Sequence, residues 1–464
     1  MTEKEIIAAI SDLAKKGNWP VYLVGGYLRD RILHRACHDL DFVIEGDAIL
    51  FAGKVAKSLS LRPPVFCSRF GTAMLQSGKI TLEFATCRKE SYLVHSRKPK
   101  IAASNLQDDL MRRDFTINAL ALSLKDGKII DLFSGREDIK EKILRTPVDP
   151  DKTFFDDPLR MLRAVRFASR LNFVIHPETE AAIIRNRERL KIVSRERIAD
   201  EFLRTMDIPQ PAAGIVLLDH LQLLPLVLPE IENLKNVVAA DDVNCKDVFR
   251  HTLIVLDRVS RRTKDLPTRL AALFHDVGKP STQKFIPGEG WTFHDHPIKG
   301  ARIWLEVARR FNIGSSVREK VYKLIELHLR PHYLAGAGVS EEGASNRAIN
   351  HLVNDCGKNL KSLFILTAAD LTSKNEGKVR KGLADIADLE NKIREWKKEQ
   401  RTAVFRLVVD GNEIMELLEI KASPLVGKVK SKLEHLVLEG KIPNRKRDLK
   451  KYLRDKKAQL FSLS

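Results

Sequence analysis

The sequence has few cysteines, few aromatic residues and no long apolar segment, and each shortage argues against a class of protein. Its five cysteines are scattered and never form a Cys-x-x-Cys pair, which argues against a disulfide framework and a thiolate zinc site. No apolar run approaches the roughly 18 residues of a membrane-spanning helix, and the N-terminus lacks a signal peptide's apolar core. Aromatic residues make up 6% of the chain, too few to suggest a base-stacking platform. We therefore expect a cytoplasmic protein with no membrane partner.

Acidic residues are outnumbered by basic ones, and the formal net charge is +19. Surplus Lys and Arg usually neutralise phosphates, so we expect a polyanionic partner. Solubility alone is the alternative explanation. The C-terminal stretch GKIPNRKRDLKKYLRDKK is especially basic, which fits either a solvated helix face or an RNA-contacting tail.

Hydrophobic patterning divides the chain near residue 146. Before it, the runs VYLVGG, DLDFVI, FGTAMLQ, KITLEFAT and ALALSL predict strands separated by turns and helices. After it, apolar residues recur at three and four positions, which is the helical period. The predicted fold class is α+β, a mixed sheet with helices followed by an all-α remainder. We predict four domains, at 1–145, 146–238, 239–395 and 396–464.

Two carboxylates follow a glycine turn in the stretch VGGYLRDRILHRACHDLDFVIE. Without a Cβ at Gly25 and Gly26, backbone N–H groups are free to approach an anion at the start of a helix. Asp39 and Asp41 lie on one face of a strand, with Cα atoms about 7 Å apart, and this spacing suits a pair of Mg²⁺ ions. A solvated strand edge is the alternative. We predict a nucleoside triphosphate site with Asp39 and Asp41 as catalytic metal ligands, and Glu83 as a candidate third carboxylate.

A later segment, DDPLRMLRAVRFASRLNF at 156–173, carries an aspartate followed by arginines at intervals of three residues. A carboxylate at Asp157 only accepts hydrogen bonds and a guanidinium at Arg160 only donates them. Cytosine and adenine both present an amino donor beside a ring-nitrogen acceptor, whereas guanine and uracil present the reverse. The pair therefore predicts selection of C and A, and a surface i,i+3 salt bridge is the alternative. Asp156 is predicted to cap the helix.

These motifs, with MRRDFTINALAL at 111–122, resemble the class II head of the DNA polymerase β nucleotidyltransferase superfamily. That class contains bacterial CCA-adding enzymes (tRNA nucleotidyltransferases) and bacterial poly(A) polymerases. The resemblance implies that Arg29 lies beside the triphosphate, that Arg113 meets the nucleotide and that Asp114 senses the ribose 2′-hydroxyl. A buried ion pair that braces the helix is the other explanation for the Arg-Arg-Asp sequence.

The same resemblance assigns roles to the helical segments that follow. It implies that Asp157 and Arg160 read the base, that Arg163 and Arg166 make further nucleotide contacts, and that RIADEFLR at 197–204 is structural. Residues 88–109 correspond to a loop that helps the family switch from C to A addition. Here that loop looks full-length, which favours an enzyme able to add A.

A second group of metal-ligand types follows in the helical remainder. His251, the adjacent His275 and Asp276, and Asp370 suit an octahedral divalent ion, and their order resembles the HD-domain phosphohydrolase signature. The resemblance implies a divalent transition metal or Mg²⁺ here, with His296 and His328 at positions that bind substrate or a second metal. In tRNA nucleotidyltransferases the domain is associated with phosphatase and 2′,3′-cyclic phosphodiesterase activity.

The predicted architecture is a nucleotidyltransferase head, a helical neck that reads the base, an HD phosphohydrolase-like domain and a basic helical tail. The resemblance implies template-independent addition of C and A to the 3′ end of tRNA from CTP and ATP, with release of pyrophosphate. DNA is not an expected partner. Alternatives are a bacterial poly(A) polymerase, an enzyme that adds only CC or only A, and an HD phosphohydrolase that uses the head to bind RNA.

Overall fold

The computed structural model describes residues 1–37, 39–68, 71–93, 96–237, 247–336, 344–372, 375–404, 407–438 and 441–457. The chain divides into two compact units. The first contains Met1–His332 and Asp355–Val379, and the second contains Tyr333–Asn354 and Arg380–Ser464. The described cysteines, at positions 37, 67, 87 and 356, form no disulfide, and Cys245 lies outside the described residues.

Within the residues that the structure describes, thirteen strands are distributed over one large and three small sheets. They are β1 (Val21–Val24), β2 (Asp39–Ile44), β3 (Val65–Cys67), β4 (Thr72–Ser77), β5 (Ile80–Thr86), β6 (Arg88–Leu93), β7 (Ser96–Ala103), β8 (Leu120–Ser123), β9 (Ile129–Asp131), β10 (Ile143–Leu144), β11 (Val174–Ile175), β12 (Lys284–Ile286) and β13 (Gly290–Thr292). The large sheet has the order β3-β4-β5-β2-β1-β8-β9. In it β2 and β5 run parallel, and the other neighbouring pairs run antiparallel.

The helices before residue 247 are α1 (Glu3–Lys16), α2 (Gly26–Ile32), α3 (Ala48–Ser58), α4 (Leu106–Met111), α5 (Gly135–Glu141), α6 (Pro150–Asp156), α7 (Leu159–Leu171), α8 (Pro177–Asn186), α9 (Arg195–Met206), α10 (Pro211–His220), α11 (Leu224–Val227) and α12 (Pro229–Glu232). Those after it are α13 (Val248–Arg262), α14 (Leu266–Phe274), α15 (Lys279–Thr282), α16 (His296–Arg310), α17 (Ser315–Leu327), α18 (Arg330–Ala335), α19 (Asn346–Cys356), α20 (Leu360–Asp370), α21 (Glu376–Val404), α22 (Gly411–Leu418), α23 (Pro424–Leu438) and α24 (Lys446–Asp455). Within the part of the chain that the structure describes, no helix is both long and apolar enough to cross a membrane.

The large sheet carries its main core on one face. In β2, Leu40 and Phe42 are fully buried, and Phe42 stacks on Phe84 of β5 with ring centroids 5.0 Å apart. Because successive side chains of a strand point to opposite faces, this packing forces the two aspartates of β2 onto the other face. The fold thus presents both carboxylates away from the core.

The predicted fold class is confirmed, and the five predicted strands correspond to β1, β2, β4, β5 and β8. The prediction of an all-helical remainder was wrong in two places, where β10 pairs with β11 and β12 pairs with β13. These strands have only two or three residues, so they are too short to show a period in sequence. Residues 88–109, predicted as a loop, contain the antiparallel hairpin of β6 and β7.

The prediction that Asp156 caps the helix was also wrong. Asp156 is the last residue of α6, and α7 begins only at Leu159. Asp157 between them is extended, with φ −137° and ψ 97°, and its Oδ1 accepts a hydrogen bond from the Leu159 N–H at 3.3 Å. Asp157 therefore lies outside the helix on which its predicted partner Arg160 lies.

The second unit ends in three helices with a core of their own. Helices α22, α23 and α24 and the residues just before them supply seven buried apolar side chains: Val409, Ile414, Leu418, Val429, Leu433, Leu449 and Leu453. The basic tail predicted from the sequence is therefore helical and packed. The four domain boundaries remain predictions.

Candidate active site and metal centre

The carboxylates of β2 are joined on the sheet face by a third from β5. Asp41 is directly opposite Glu83 in the parallel pairing, and Asp39 is opposite Thr81. Burial raises the pKa of Asp41 to about 6, and the negative charge of Glu83 adds to this rise while Arg113 opposes it. Three crowded carboxylate oxygens favour a hard divalent cation, which relieves their mutual repulsion. The donor set therefore fits Mg²⁺.

The predicted glycine turn lies directly against Asp41. Gly25 has φ +77°, and a Cβ added there would lie 2.6 Å from Asp41 Oδ2 and 3.6 Å from Arg113 Nη1. Any other residue would therefore be strained and would collide with the carboxylate. Helix α2 begins at the next residue, Gly26. The turn, Asp41 and Arg113 thus form one compact site.

Arg29 is buried, only 4% exposed, and its guanidinium lies against the turn, since a Cβ added at Gly26 would come within 3.1 Å of Arg29 Nη2. Its Nε donates to Asp30 Oδ1 at 2.8 Å, and its Nη1 donates to Asn118 Oδ1 at 2.6 Å. Asn118 Nδ2 in turn donates to Asp114 Oδ1 at 3.0 Å. Arg29 is therefore linked to the proposed ribose sensor through one amide side chain, and its predicted contact with the triphosphate stays a prediction.

Asp114 is held by an arginine of the following helical segment. Arg163 of α7 donates to Asp114 Oδ2 through Nε at 2.8 Å, and its Nη2 lies 2.6 Å from the same oxygen. Burial pushes the pKa of Asp114 upward, but the Arg163 charge and the hydrogen bonds from Asn118 and Arg163 outweigh it and lower the pKa to about 2. Asp114 is therefore ionised and oriented.

Arg112 and Arg113 share a different carboxylate. Asp109 is fully buried, and it accepts from Arg113 Nη2 at 3.0 Å and from Arg112 Nε at 3.0 Å. The ion pair weighed as the alternative for this motif is therefore present, with Asp109 as the shared acid. The ion pair with Asp109 also holds Arg113 beside Gly25. Arg113 can therefore stabilise the helix and contact a nucleotide at the same time.

The two predicted base readers have separate partners. The Asp157 carboxylate pairs with Arg197 of α9 at 3.0 Å. Arg160 donates through Nη2 to the Arg112 carbonyl at 2.5 Å and through Nη1 to the Thr153 carbonyl at 3.4 Å. An i,i+3 pairing needs helical geometry at both ends, which the extended Asp157 lacks.

Arg163 and Arg166 of α7 lie around the Phe167 ring together with Arg29 of α2. Arg166 donates to Glu201 Oε2 at 2.6 Å, and Arg163 Nη1 lies 3.5 Å from Glu201 Oε1. The guanidinium carbons of Arg29, Arg163 and Arg166 lie 5.1, 5.3 and 4.4 Å from the centroid of the Phe167 ring. Cation–π contact and the buried Glu201 thus allow like charges to lie close together.

Sequence reasoning missed the partners that orient this site: Asp109, Asn118, Phe167, Arg197 and Glu201. Asn118 stands in the same quoted motif as Asp114, and Glu201 stands in the segment that was interpreted as structural. The contacts of Asn118, Arg197 and Glu201 join positions 35 to 89 residues apart, so the residue types gave the only available signal. Asp109 lies only three and four residues from Arg112 and Arg113, and this helical spacing could have been recognised in the sequence.

The second predicted metal site is assembled from five helices of the first unit. The ligand-type atoms fall in two groups, His251, His275 and Asp370 in one and Asp276, His296 and His328 in the other, each within 4.8 Å of one another. His251 Nε2 lies 2.9 Å from Asp370 Oδ1 and 3.3 Å from His275 Nε2. His296 Nε2 lies 3.4 Å from Asp276 Oδ1. The structure thus brings together all six residues named from the sequence.

Backbone carbonyls orient the imidazoles of this site. The Nδ1 atoms of His275, His296 and His328 lie 2.9, 2.8 and 2.7 Å from the carbonyls of residues 272, 293 and 325. Each Nδ1 therefore carries a proton, so each ring turns its Nε2 inward as the atom that would bind a cation. The Nε2 atoms of His296 and His328 are buried without a hydrogen-bond partner, which fits metal ligands.

The carboxylates of the second site require a positive charge. Burial lowers the pKa of His275, but Asp276 and Asp370 outweigh it and raise the pKa to about 10. A divalent cation between the carboxylates would supply this charge and displace the proton. Gly278 allows the close packing, since a Cβ there would lie 2.1 Å from the His296 carbonyl oxygen. The donor set therefore fits a divalent ion.

Three family models match the chain. They are described as "Poly A polymerase head domain" over residues 21–145, "Probable RNA and SrmB- binding site of polymerase A" over 172–235, and "HD domain" over 248–375. The first covers the carboxylate site, and the third covers the histidine site.

Individual relatives and one solved structure extend this similarity. An A-adding tRNA nucleotidyltransferase of Deinococcus radiodurans is 30% identical over 70% of this chain and 74% of its own length. A multifunctional CCA protein of Aliivibrio salmonicida is 31% identical over 67% and 75%. A crystal structure of a tRNA nucleotidyltransferase complexed with a primer tRNA and an incoming ATP analogue aligns with TM-score 0.59 and 25% identity, covering 84% of this chain and 99% of that one.

Two other relatives are matched over a shorter part of their length. The chain spans 22% of an A-adding tRNA nucleotidyltransferase of Aquifex aeolicus and 45% of a CCA-adding enzyme of Lactobacillus helveticus, each at 44% identity over 39% of this chain.

Proposed function

Because the chain belongs to the tRNA nucleotidyltransferase family, we propose that it adds C and A nucleotides to the 3′ end of tRNA without a template. CTP and ATP are the nucleotide substrates, and pyrophosphate is released. The observation that carries this proposal is the contact between the Gly25 turn and Asp41, on a sheet face that also presents Asp39 and Glu83. This arrangement combines an anion-binding turn with ligands for divalent cations.

The reaction exchanges one phosphate ester linkage for another. The 3′-oxygen of the RNA forms a bond to the α-phosphorus, the bond from that phosphorus to the pyrophosphate oxygen breaks, and the hydroxyl proton is lost. Asp39 and Asp41 would hold Mg²⁺, which neutralises triphosphate charge and makes the hydroxyl a better nucleophile. Arg113 lies beside the Gly25 turn and supplies positive charge to the triphosphate.

Asp114 is the proposed acceptor for the ribose 2′-hydroxyl. Its low pKa keeps it an acceptor at neutral pH, and Arg163 and Asn118 hold it in one orientation. A deoxyribonucleotide offers no donor to this buried carboxylate. A hydrogen bond to a charged group contributes about 1.5–3 kcal/mol, so its loss makes the site discriminate against deoxyribonucleotides.

Asp157 and Arg160 remain the proposed base readers despite their separate partners. A carboxylate has about four acceptor positions and a guanidinium five N–H donors, so each group retains capacity for the base. The carbonyls of Thr153 and Arg112 fix the plane of the Arg160 guanidinium, and Arg197 fixes Asp157. These contacts therefore prepare both groups for binding.

The histidine site is proposed to hold a divalent transition metal or Mg²⁺ and to hydrolyse phosphate esters. Its imidazole nitrogens favour a transition metal over Mg²⁺. Lys279 Nζ lies 2.6 Å from Asp276 Oδ2 and supplies positive charge beside the site. Cytoplasmic localisation, expected from the cysteine pattern, stays a prediction.

Addition of A alone is the second candidate function. The A-adding tRNA nucleotidyltransferase of Deinococcus radiodurans matches 70% of the chain, and the multifunctional CCA protein of Aliivibrio salmonicida matches 67%. The Asp157–Arg160 chemistry admits both bases and does not separate the two functions. An A-only enzyme would act on tRNA that already ends in CC.

The test uses purified protein, Mg²⁺, a tRNA transcript ending at the discriminator base and a second transcript ending in CC. Each labelled nucleotide is supplied alone and in mixtures, and products are resolved at single-nucleotide length. We expect two C and one A on the first transcript, followed by arrest.

Other products would identify the other functions. Incorporation confined to the CC transcript would establish A addition, and a stop after CC would establish a CC-adding enzyme. A long A ladder would identify a poly(A) polymerase. Failure to incorporate any nucleotide would overturn the assignment of the head and leave the histidine site as the active part.

A further inference from the structure

A single row of side chains crosses the open face of the large sheet through the proposed catalytic carboxylates. The strand pairings place Val24 opposite Asp41, Asp41 opposite Glu83, Glu83 opposite Met74, and Met74 opposite Val65. Directly opposite residues share a face, so all five side chains point the same way. With strands about 4.8 Å apart, Met74 lies roughly 10 Å from Asp41 along this row.

The two ends of the row differ in exposure. Val24 is fully buried beneath Leu106 and Leu110 of α4. Met74 and Val65 are 44% and 70% exposed. An apolar shelf, defined here as Val65 and Met74, therefore adjoins the carboxylates on the side of the sheet's open edge.

The proposed nucleotide site occupies the opposite side of Asp41. Gly25 and Arg113 approach Asp41 from the side of β1 and α2, and Asp114 is linked to the same region through Asn118 and Arg29. In phosphoryl transfer the attacking and leaving oxygens are roughly in line across the phosphorus. A hydroxyl that attacks a nucleotide held on the β1 side must therefore arrive from the side of β5, β4 and β3.

We propose that the Val65–Met74 shelf binds the terminal nucleoside of the RNA acceptor, whose 3′-hydroxyl attacks the incoming nucleotide. The proposal rests on the proposed function, because it assigns the acceptor subsite of that reaction. One nucleoside is long enough to reach from the shelf to the carboxylates. The adjacent row, Asp39, Thr81 and Gln76, is polar and suits the sugar and phosphate.

An apolar shelf suits an enzyme that adds several nucleotides in turn, because the acceptor subsite must bind different terminal bases. During CCA addition the acceptor ends in the discriminator base at the first step and in C at the next two, so the subsite must accept more than one terminal base. Hydrogen-bond donors and acceptors at fixed positions would reject some of these ends. Apolar contact with a base face tolerates every base, and the flexible thioether of Met74 adapts to differences in size.

The test compares Val65→Ser, Met74→Ser and the double variant with Phe66→Ser. Phe66 is the matched control, because it lies on the same strand, is 59% exposed and points to the opposite face beside Ala73. The KM for the acceptor transcript and the KM for CTP are measured separately. In addition, an acceptor with 4-thiouridine at its 3′ end is photocrosslinked to the wild-type protein.

We expect the double variant to raise the KM for the acceptor about tenfold, which corresponds to about 1.4 kcal/mol, with the KM for CTP changed less than about twofold. Phe66→Ser should resemble wild type, and Met74→Leu should retain most of the affinity. The crosslink should map to the peptide that contains Val65 or Met74.

Two results would overturn the proposal. One is an unchanged KM for the acceptor in the double variant, and the other is an equal rise in Phe66→Ser. Either would leave the proposed function intact, because the wild-type protein would still extend the transcript. A wild-type protein that extends no transcript would instead overturn the proposed function itself.

Discussion

The carboxylate site of the head and the histidine site of the helical region present their candidate metal ligands in opposite ways. Asp39 and Asp41 share one strand face that opens toward solvent beside Glu83. The histidine site draws its ligands from five helices, with His275, Asp276 and His328 almost completely buried.

This difference matches the number of metal coordination positions that each site would leave open for its substrate. Mg²⁺ is usually bound by one or two carboxylates and completes its coordination with substrate phosphates and water. The head therefore needs few ligands and an open face. The histidine site supplies nitrogen and oxygen ligands from the chain itself, which suits a more permanently bound ion.

Removing and restoring metals should separate the two sites most strongly. Chelation should reduce nucleotide addition by more than about a hundredfold, because the carboxylates cannot neutralise the triphosphate alone. Mg²⁺ alone should restore addition, measured as labelled CTP incorporation. Hydrolysis of a 2′,3′-cyclic nucleotide should respond better to Ni²⁺ or Co²⁺. A failure of Mg²⁺ to restore addition would contradict the assignment of the head.

Replacement of Asp370 should affect only the histidine site. Asp370→Asn removes a charged ligand that lies 2.9 Å from His251, so affinity for Ni²⁺ should fall at least about tenfold. Metal bound per chain, measured by mass spectrometry after dialysis, is the readout. Asp257→Asn on α13 is the control, since Asp257 pairs with Arg261 on the helix surface. Unchanged metal content in Asp370→Asn would exclude Asp370 as a ligand.

The ribose discrimination should weaken when Asp114 loses its charge. Asp114→Asn should reduce the ratio of kcat/KM for ATP over dATP about tenfold or more. Arg163→Lys should act in the same direction, because lysine lacks the planar fork that holds Asp114. Asp108→Asn on α4 should preserve the ratio, and an equal loss in that control would indicate a general structural effect.

The smallest effect we expect is on stability in acid. The pKa of Asp114 is about 2 in the folded protein and about 3.9 in an unfolded chain. Ionised Asp114 therefore stabilises the fold by roughly 3 kcal/mol above about pH 4, and this contribution is lost as the pH falls through 2. The stability difference between wild type and Asp114→Asn, from urea unfolding, should shrink over that range. A difference independent of pH would contradict this account.

The two regions also differ in how well the sequence predicts them. Strand alternation was enough to place Asp39 and Asp41 on one face, because the period of a strand acts over two residues. Four residues of the histidine site, His251, His275, Asp276 and Asp370, were recognisable from the order of their ligand types, and the family resemblance added His296 and His328. In both regions, the residue types themselves were enough to predict which side chains belong to the site.

The contacts that orient these groups were not predictable in the same way. Arg29 and Asn118 are 89 residues apart, and Arg166 and Glu201 are 35 apart, so tertiary packing decides their pairing. The expected Asp157–Arg160 alignment was lost for a local reason, since α7 begins only at Leu159. Strands as short as β10 and β12 also leave no periodic signal.

The most direct test measures both activities on the same preparations of Asp41→Asn and His275→Ala. The account predicts that Asp41→Asn loses CTP and ATP incorporation into tRNA but keeps hydrolysis of the cyclic nucleotide. It predicts the reverse for His275→Ala. An Asp41→Asn protein that still extends tRNA would contradict the central claim that the head carboxylates carry out nucleotide transfer.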